Sequence, residues 1–138
     1  MKLIQKIDCN IPFLLHDSRI ERIEMDDGGL SFYLDNVYEY NEDSEKFYPA
    51  CMSFKDVDLE ECNVLVYDKE LRDGSFAGIR YNMQEYIKKF ADAEFEIITD
   101  AYAGYDTIFQ GFLYREGKEP VTCIINIYNT GDIEFAIE

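Results

Sequence analysis

His16, Asp17 and Ser18 stand side by side and are the first residues in the chain whose types could do chemistry. A serine nucleophile, a histidine base and an orienting carboxylate make a hydrolytic triad, but only when the three converge in space. Neighbours on an extended segment point in opposite directions. Ser18 also lacks the G-x-S-x-G elbow that lifts a nucleophile clear of its turn. The same residues are accounted for if Asp17 or Ser18 bonds nearby backbone N–H groups at a turn while His16 makes a buried polar contact. His16 is the only histidine, which excludes a zinc site built on several of them; a thiolate site would need Cys9, Cys51, Cys62 and Cys123 to converge. The chain has no C-x-x-C pair, phosphate-cradling glycine loop or dinucleotide fingerprint. No cofactor and no metal is therefore expected.

Carboxylates are the second group to weigh. Asp56, Asp58 and Glu60 alternate, so on an extended segment they would line one face, an arrangement hard cations such as calcium favour. The EF-hand spacing fails at Glu61, where that loop needs glycine, and Asp26-Asp27 and Glu42-Asp43 form no full ligand set. A solvated edge that discourages strand-to-strand aggregation explains these acids without a metal. Between Asp35 and Glu61 nine acids stand against Lys46 and Lys55, a local net of −7, with Tyr38, Tyr40, Phe47 and Tyr48 interleaved. Rings supply anchoring area and charges supply steering, which is what a surface that docks a basic partner needs. Tyr38, Glu39, Tyr40, Glu42, Asp43, Glu45 and Tyr48 are the candidate contact residues. In the competing reading the rings fold back onto the sheet and the acids are merely wet.

The totals agree with a protein-binding surface better than with other partners. Twenty-nine acids against 13 bases give a formal net charge of −16, a field that repels phosphate backbones and anionic lipid. Nucleic acid and membrane are thus excluded as partners, while a basic protein or a multivalent cation fits. A chain of 138 residues, 47% of them hydrophobic, makes one globular domain over 1–138. The scattered cysteines read as free, mostly buried thiols. The nearest apolar run to the N-terminus, 11–15, is five residues long, too short for a secretory leader, so a cytoplasmic location is expected.

The elements that must position these residues are mostly strands. Four are read over 95–102, 107–114, 121–128 and 132–137; in the last, Ile133, Phe135 and Ile137 alternate with acids. Asn129-Thr130-Gly131-Asp132 reads as a tight hairpin turn, with Gly131 at positive φ. Tyr114 and Tyr128 would form a cross-strand pair if the register sets them side by side. A hairpin is predicted from 19–25 and 30–37 around Asp26-Asp27-Gly28-Gly29. Phe13-Leu14-Leu15 reads as a buried plug, 38–48 as a loop, and 50–57 and 62–67 as strands; 68–78 is left irregular. Asn82 as N-cap, Glu85 three residues on, and Met83, Tyr86, Ile87 and Phe90 at helical spacing predict one helix over about 82–92. The fold class is mainly β (α+β): about eight antiparallel strands in one curled sheet or a two-layer β-sandwich, with that helix packed on it.

Leu15-His16-Asp17-Ser18-Arg19-Ile20, then a hairpin into Leu30-Ser31-Phe32-Tyr33-Leu34, and later Phe54-Lys55-Asp56-Val57, give residues 15–57 a resemblance to a known group. They resemble small uncharacterised bacterial β-rich proteins that open on an "HD-small-x-Ile" signature, some assigned as immunity proteins of toxin systems. The resemblance implies that His16 and Asp17 mark the first turn structurally. The preferred expectation is a non-enzymatic interaction module, an inhibitor or immunity-type protein for a basic partner. The alternatives are a small-molecule or cation-binding domain using the concave sheet face, and, third, a hydrolase at His16 and Asp17.

Overall fold

A computed structural model describes residues 2–5, 13–41, 44–69 and 77–137. It contains ten strands: β1 (Lys2–Gln5), β2 (Arg19–Asp26), β3 (Gly29–Asn41), β4 (Ser44–Phe54), β5 (Asn63–Lys69), β6 (Ala77–Tyr81), β7 (Glu94–Ala103), β8 (Asp106–Tyr114), β9 (Val121–Tyr128) and β10 (Ile133–Ile137). One α-helix, α1 (Met83–Lys89), and a 3-10 turn at Leu59–Glu61 complete the described elements. All ten strands belong to one antiparallel sheet in the order β1-β10-β4-β3-β2-β7-β8-β9-β5-β6.

The sheet is doubled over at its middle. Phe32 on β3 and Phe109 on β8 lie three strands apart, roughly 14 Å in a flat sheet. Their ring centroids are 5.9 Å apart, which only a folded sheet allows. The fold line is the β2–β7 junction, where just two residue pairs join the halves, Arg19↔Glu96 and Ile20↔Phe95. Inner faces meet along Phe32, Phe54, Phe109, Ile125 and Phe135, all fully buried, so the expected curled sheet and two-layer arrangement are one object.

Tight approaches shape the fold. β7 bulges between Ile97 and Thr99 and presses on β8 at Gly111, where a Cβ would stand 1.8 Å from the Glu96 carbonyl oxygen. Residue 111 must be glycine for steric reasons. A second approach corrects the expected turn at 129–132. β10 does not pair with β9; it crosses to the other half and lies between β1 and β4. Gly131 is absent from the positive-φ residues. It is small because a Cβ would meet Asp56 Oδ2 at 2.5 Å and the Lys55 carbonyl oxygen at 2.9 Å. Both crossovers between the halves, 55–58 and 128–132, run side by side, joined by backbone bonds such as Asp58 N–H to Tyr128 O and Gly131 N–H to Lys55 O. Asn129, 3% exposed, donates its side-chain amide to the Lys55 and Gly131 carbonyls.

The helix starts where its cap predicts, with Asn82 Oδ1 accepting from Glu85 N–H at 2.8 Å. It ends at Lys89, earlier than the 92 expected, because Phe90 leaves helical geometry and its ring turns in against Tyr81 and Tyr86. Met83, Tyr86 and Phe90 are buried; Ile87 is half-buried and faces a cleft against β2. Strand β6 lies where the sequence gives no strand signal, within and just beyond the turn-rich 68–78.

Candidate functional site

The acid-and-tyrosine segment is not a loop. β3 and β4 pair beyond the body of the sheet through Val37↔Tyr48, Tyr38↔Phe47, Glu39↔Lys46, Tyr40↔Glu45 and Asn41↔Ser44. The polar composition of 38–48 hides an alternation that suits a hairpin, with ring opposite ring and acid opposite lysine. Glu42 and Asp43 lie outside the described residues, as does the side chain of Tyr40. Tyr38, Glu39, Glu45 and Tyr48 are therefore brought together as two strands of one ribbon.

Residues directly opposite one another share a face. Leu14 pairs with Tyr38 through two backbone bonds of 2.8 and 3.1 Å, so Leu14, Tyr38 and Phe47 form a row across three adjacent segments. The Tyr38 and Phe47 rings are 5.1 Å apart at 53°. Leu14 is 57% exposed and Phe47 61% exposed, the two highest values among the large exposed hydrophobic residues described. The expected buried plug is thus only two-thirds buried: Phe13 and Leu15 point inward and Leu14 outward, as alternation along an extended segment requires. Exposed Glu45 shares this outer face. Val37, fully buried, anchors the inner face, where Glu39, Lys46 and half-buried Tyr48 also lie. Desolvation raises the Tyr48 phenol above its ordinary pKa, and the charge and hydrogen bond of Glu39 add to the shift. Leu14 and Phe47 are functional candidates missing from the residues chosen by sequence. Phe47 was detectable from its mirror position to Tyr38 about Glu42-Asp43.

His16, Asp17 and Ser18 form the brace that holds the hairpin root to the second half of the sheet. Ser18 is buried and donates its hydroxyl to the Asn36 carbonyl. Arg19 N–H donates to Asp35 Oδ1 at 2.7 Å, and Asp35 and Asn36 are the residues displaced by the β3 bulge. Asp17 N–H donates to Ile97 O, and Ile97 N–H returns a bond to Ser18 O. Asp17 sits at φ 69°, the left-handed region that aspartate tolerates better than most residues. The expected buried contact of His16 is corrected: its side chain is 62% exposed, with Nδ1 2.7 Å from Ile98 O and Nε2 3.4 Å from Asp17 Oδ1. The Ser18 hydroxyl is engaged by the Asn36 carbonyl at the β3 bulge and His16 by Ile98 O and Asp17, so these residues do not make the nucleophile–base contact of a triad.

The remaining clusters also disperse. Asp56 takes φ 53° and Asp58 caps the 3-10 turn by accepting from Glu60 N–H at 3.1 Å, so 56–60 is not extended and its carboxylates do not line one face. Among the described residues no group of three or more His, Cys, Asp or Glu is placed to hold a metal. Tyr114 and Tyr128 are at opposite ends of the meander. Tyr114 stacks under Arg19 at 4.3 Å and Tyr128 meets Tyr105 at 5.7 Å. The concave side of the sheet is filled by core. Marginal openings are a cleft of about 120 Å³ between α1 and β2 and a shallow outer groove of about 400 Å³ beside Arg22, Tyr33 and Cys51.

Cys51, Cys62 and Cys123 are free. Burial pushes the Cys123 thiol up to about 12, the Tyr86 hydrogen bond opposing it, and burial also raises Cys62. No described helix is long and apolar enough to cross a membrane. Compared with protein-family models, curated proteins and solved structures, the chain finds no match in any of the three.

Proposed function

We propose that this protein is a non-enzymatic interaction module whose β3–β4 hairpin docks on a basic protein, in the manner of an inhibitor or immunity protein, in the cytoplasm where its thiols stay reduced. The observation that carries this reading is the row Leu14, Tyr38 and Phe47 on the outer face of the hairpin, with the exposed carboxylate of Glu45 on the same face. Apolar side chains held in register offer area that needs little ordering on contact. Glu45 and the wider field of a −16 chain steer a cationic surface toward them. The brace at 14–19 fixes the hairpin root to β7, so the ribbon is presented as a stiff arm.

The test is capture from native lysate by the immobilised full chain at low ionic strength, with Phe47→Ala as the control bait. A basic protein held by the wild type and released by added salt or by the substitution supports the reading. Recovery of no basic protein, or equal recovery by both baits, refutes it.

A further inference from the structure

The β3–β4 hairpin has an open edge along β4. Leu14 and Tyr38 exchange two backbone bonds, Leu14 N–H to Tyr38 O at 2.8 Å and Tyr38 N–H to Leu14 O at 3.1 Å. Both main-chain groups of Tyr38 therefore point away from β4, and Tyr38↔Phe47 is a non-hydrogen-bonded pair of the β3–β4 ladder. Such pairs bring their side chains closest, in keeping with ring centroids 5.1 Å apart. Bonded and non-bonded pairs alternate, so Glu39↔Lys46 and Val37↔Tyr48 carry the cross-strand bonds and Tyr40↔Glu45 does not. The N–H and C=O groups of Glu45 and Phe47 are thus turned to the outer edge of β4. Among the described residues no strand lies there: β10 accompanies β4 only as far as Ile137↔Ala50. Pro49 has the same parity as Glu45 and Phe47. Its missing N–H would face that edge, the side of a strand on which proline is tolerated.

We propose, resting on the docking reading, that an extended segment of the basic partner adds to this edge as a further antiparallel strand, opposite 45–49 and in line with β10. Phe47 and the residue opposite it exchange two backbone bonds, the mode in which a peptide extends an exposed sheet edge. The side chain opposite Phe47 continues the row Leu14, Tyr38 and Phe47 on the outer face, so an apolar residue fits there. Two residues further toward the partner's C-terminus, the side chain opposite Glu45 lies on that same face, and Lys or Arg fits there. The added strand therefore reads apolar, any, basic. Charge decides against the other occupant of a bare edge, the same edge of a second copy. Two chains of net charge −16 repel. Nor does a copy bring a cation to the outer face, where its own edge positions are Glu45, Phe47 and Pro49.

Residue-resolved amide hydrogen exchange of the full chain, by NMR, reads this edge directly. In the free chain the Glu45 and Phe47 amides should exchange about tenfold or more faster than those of Lys46 and Tyr48, following the alternation of the ladder. The probe is the capped peptide Thr-Thr-Val-Thr-Lys-Thr, which at saturation should slow exchange at Glu45 and Phe47 about tenfold. Methylating the valine nitrogen keeps every side chain and charge but removes the donor to Phe47 O, and should weaken binding about tenfold or more. Replacing the lysine by glutamate should weaken it about as much through charge alone. Fast exchange at Glu45 and Phe47 in the presence of the peptide overturns the proposal. So does protection of both amides in the free chain, or equal protection by either altered peptide. The docking reading fails on a different result, the recovery of no basic protein from lysate. A captured basic protein that leaves both amides exchanging fast sinks the added strand alone.

Discussion

Phe47 and Phe54 lie on the same strand, β4, and alanine at each separates a ring exposed on the hairpin from a ring that holds the fold. Phe54 is fully buried and packs edge-on against Phe32 at 5.3 Å. Removing it should cost about 3–5 kcal/mol, the range for a buried Phe→Ala change. Phe47 keeps 61% of its surface in water, so about two fifths of that burial is at stake. On that scale Phe47→Ala, its contact with the Tyr38 ring included, should cost only about 1–2 kcal/mol. Urea unfolding followed by far-ultraviolet circular dichroism measures both, and the slope with denaturant should stay constant across the set. Equal losses at the two positions would mean that Phe47 is tied into the core. Its exposure could then not be ascribed to docking, and the assignment of the hairpin would fail.

Three further outcomes follow from the packing. The folded pKa of Cys123 is raised above the ordinary 9.0 to about 12. Its contribution is therefore complete below the unfolded value and is lost as pH climbs toward the folded one. Near pH 10 the stability gap between wild type and Cys123→Ala should have narrowed by about 1.4 kcal/mol, measured by paired urea melts; a gap that does not move with pH contradicts dry burial at β9. Gly111→Ala puts a methyl into the β7 bulge at backbone that cannot move aside, so a loss of about 3 kcal/mol or more is expected from chemical denaturation; a near-neutral result would refute the close approach. Asn82→Ala removes the cap of α1 and should lower stability by about 1 kcal/mol by the same assay, and no change would mean that the cap does not hold the helix start.

Much of the fold is legible in the sequence because inner and outer positions alternate with little interruption. Ile133 and Phe135 repeat with a period of two, and β7 to β10 fall close to where that period places them. The helix announces itself through Asn82 and Glu85. What the sequence hides is non-local. Nothing adjacent to Gly131 indicates that Lys55 and Asp56 will press on it, so a steric glycine reads as a turn glycine. The path of β10 to the far half is set by that crossover contact. The hairpin at 38–48 is concealed because its composition is that of a loop while its register is that of a strand pair. The brace is only half visible: His16, Asp17 and Ser18 are conspicuous, but their partners Asp35, Asn36 and Ile97 are made available by bulges that no local pattern marks. Leu14 and Phe47 enter the candidate site only once the three-segment row is known.

The central proposal is that the outer face of the β3–β4 hairpin, with Tyr38, Phe47 and Glu45, binds a cationic protein. The most direct measurement is the association and dissociation kinetics of the full chain with the basic protein it captures, across ionic strength, for wild type, Glu45→Lys and Phe47→Ala. Association should slow steeply with salt and with Glu45→Lys, while Phe47→Ala should speed dissociation about 30-fold or more. Kinetics that ignore salt, together with an unchanged dissociation rate for Phe47→Ala, would contradict the account.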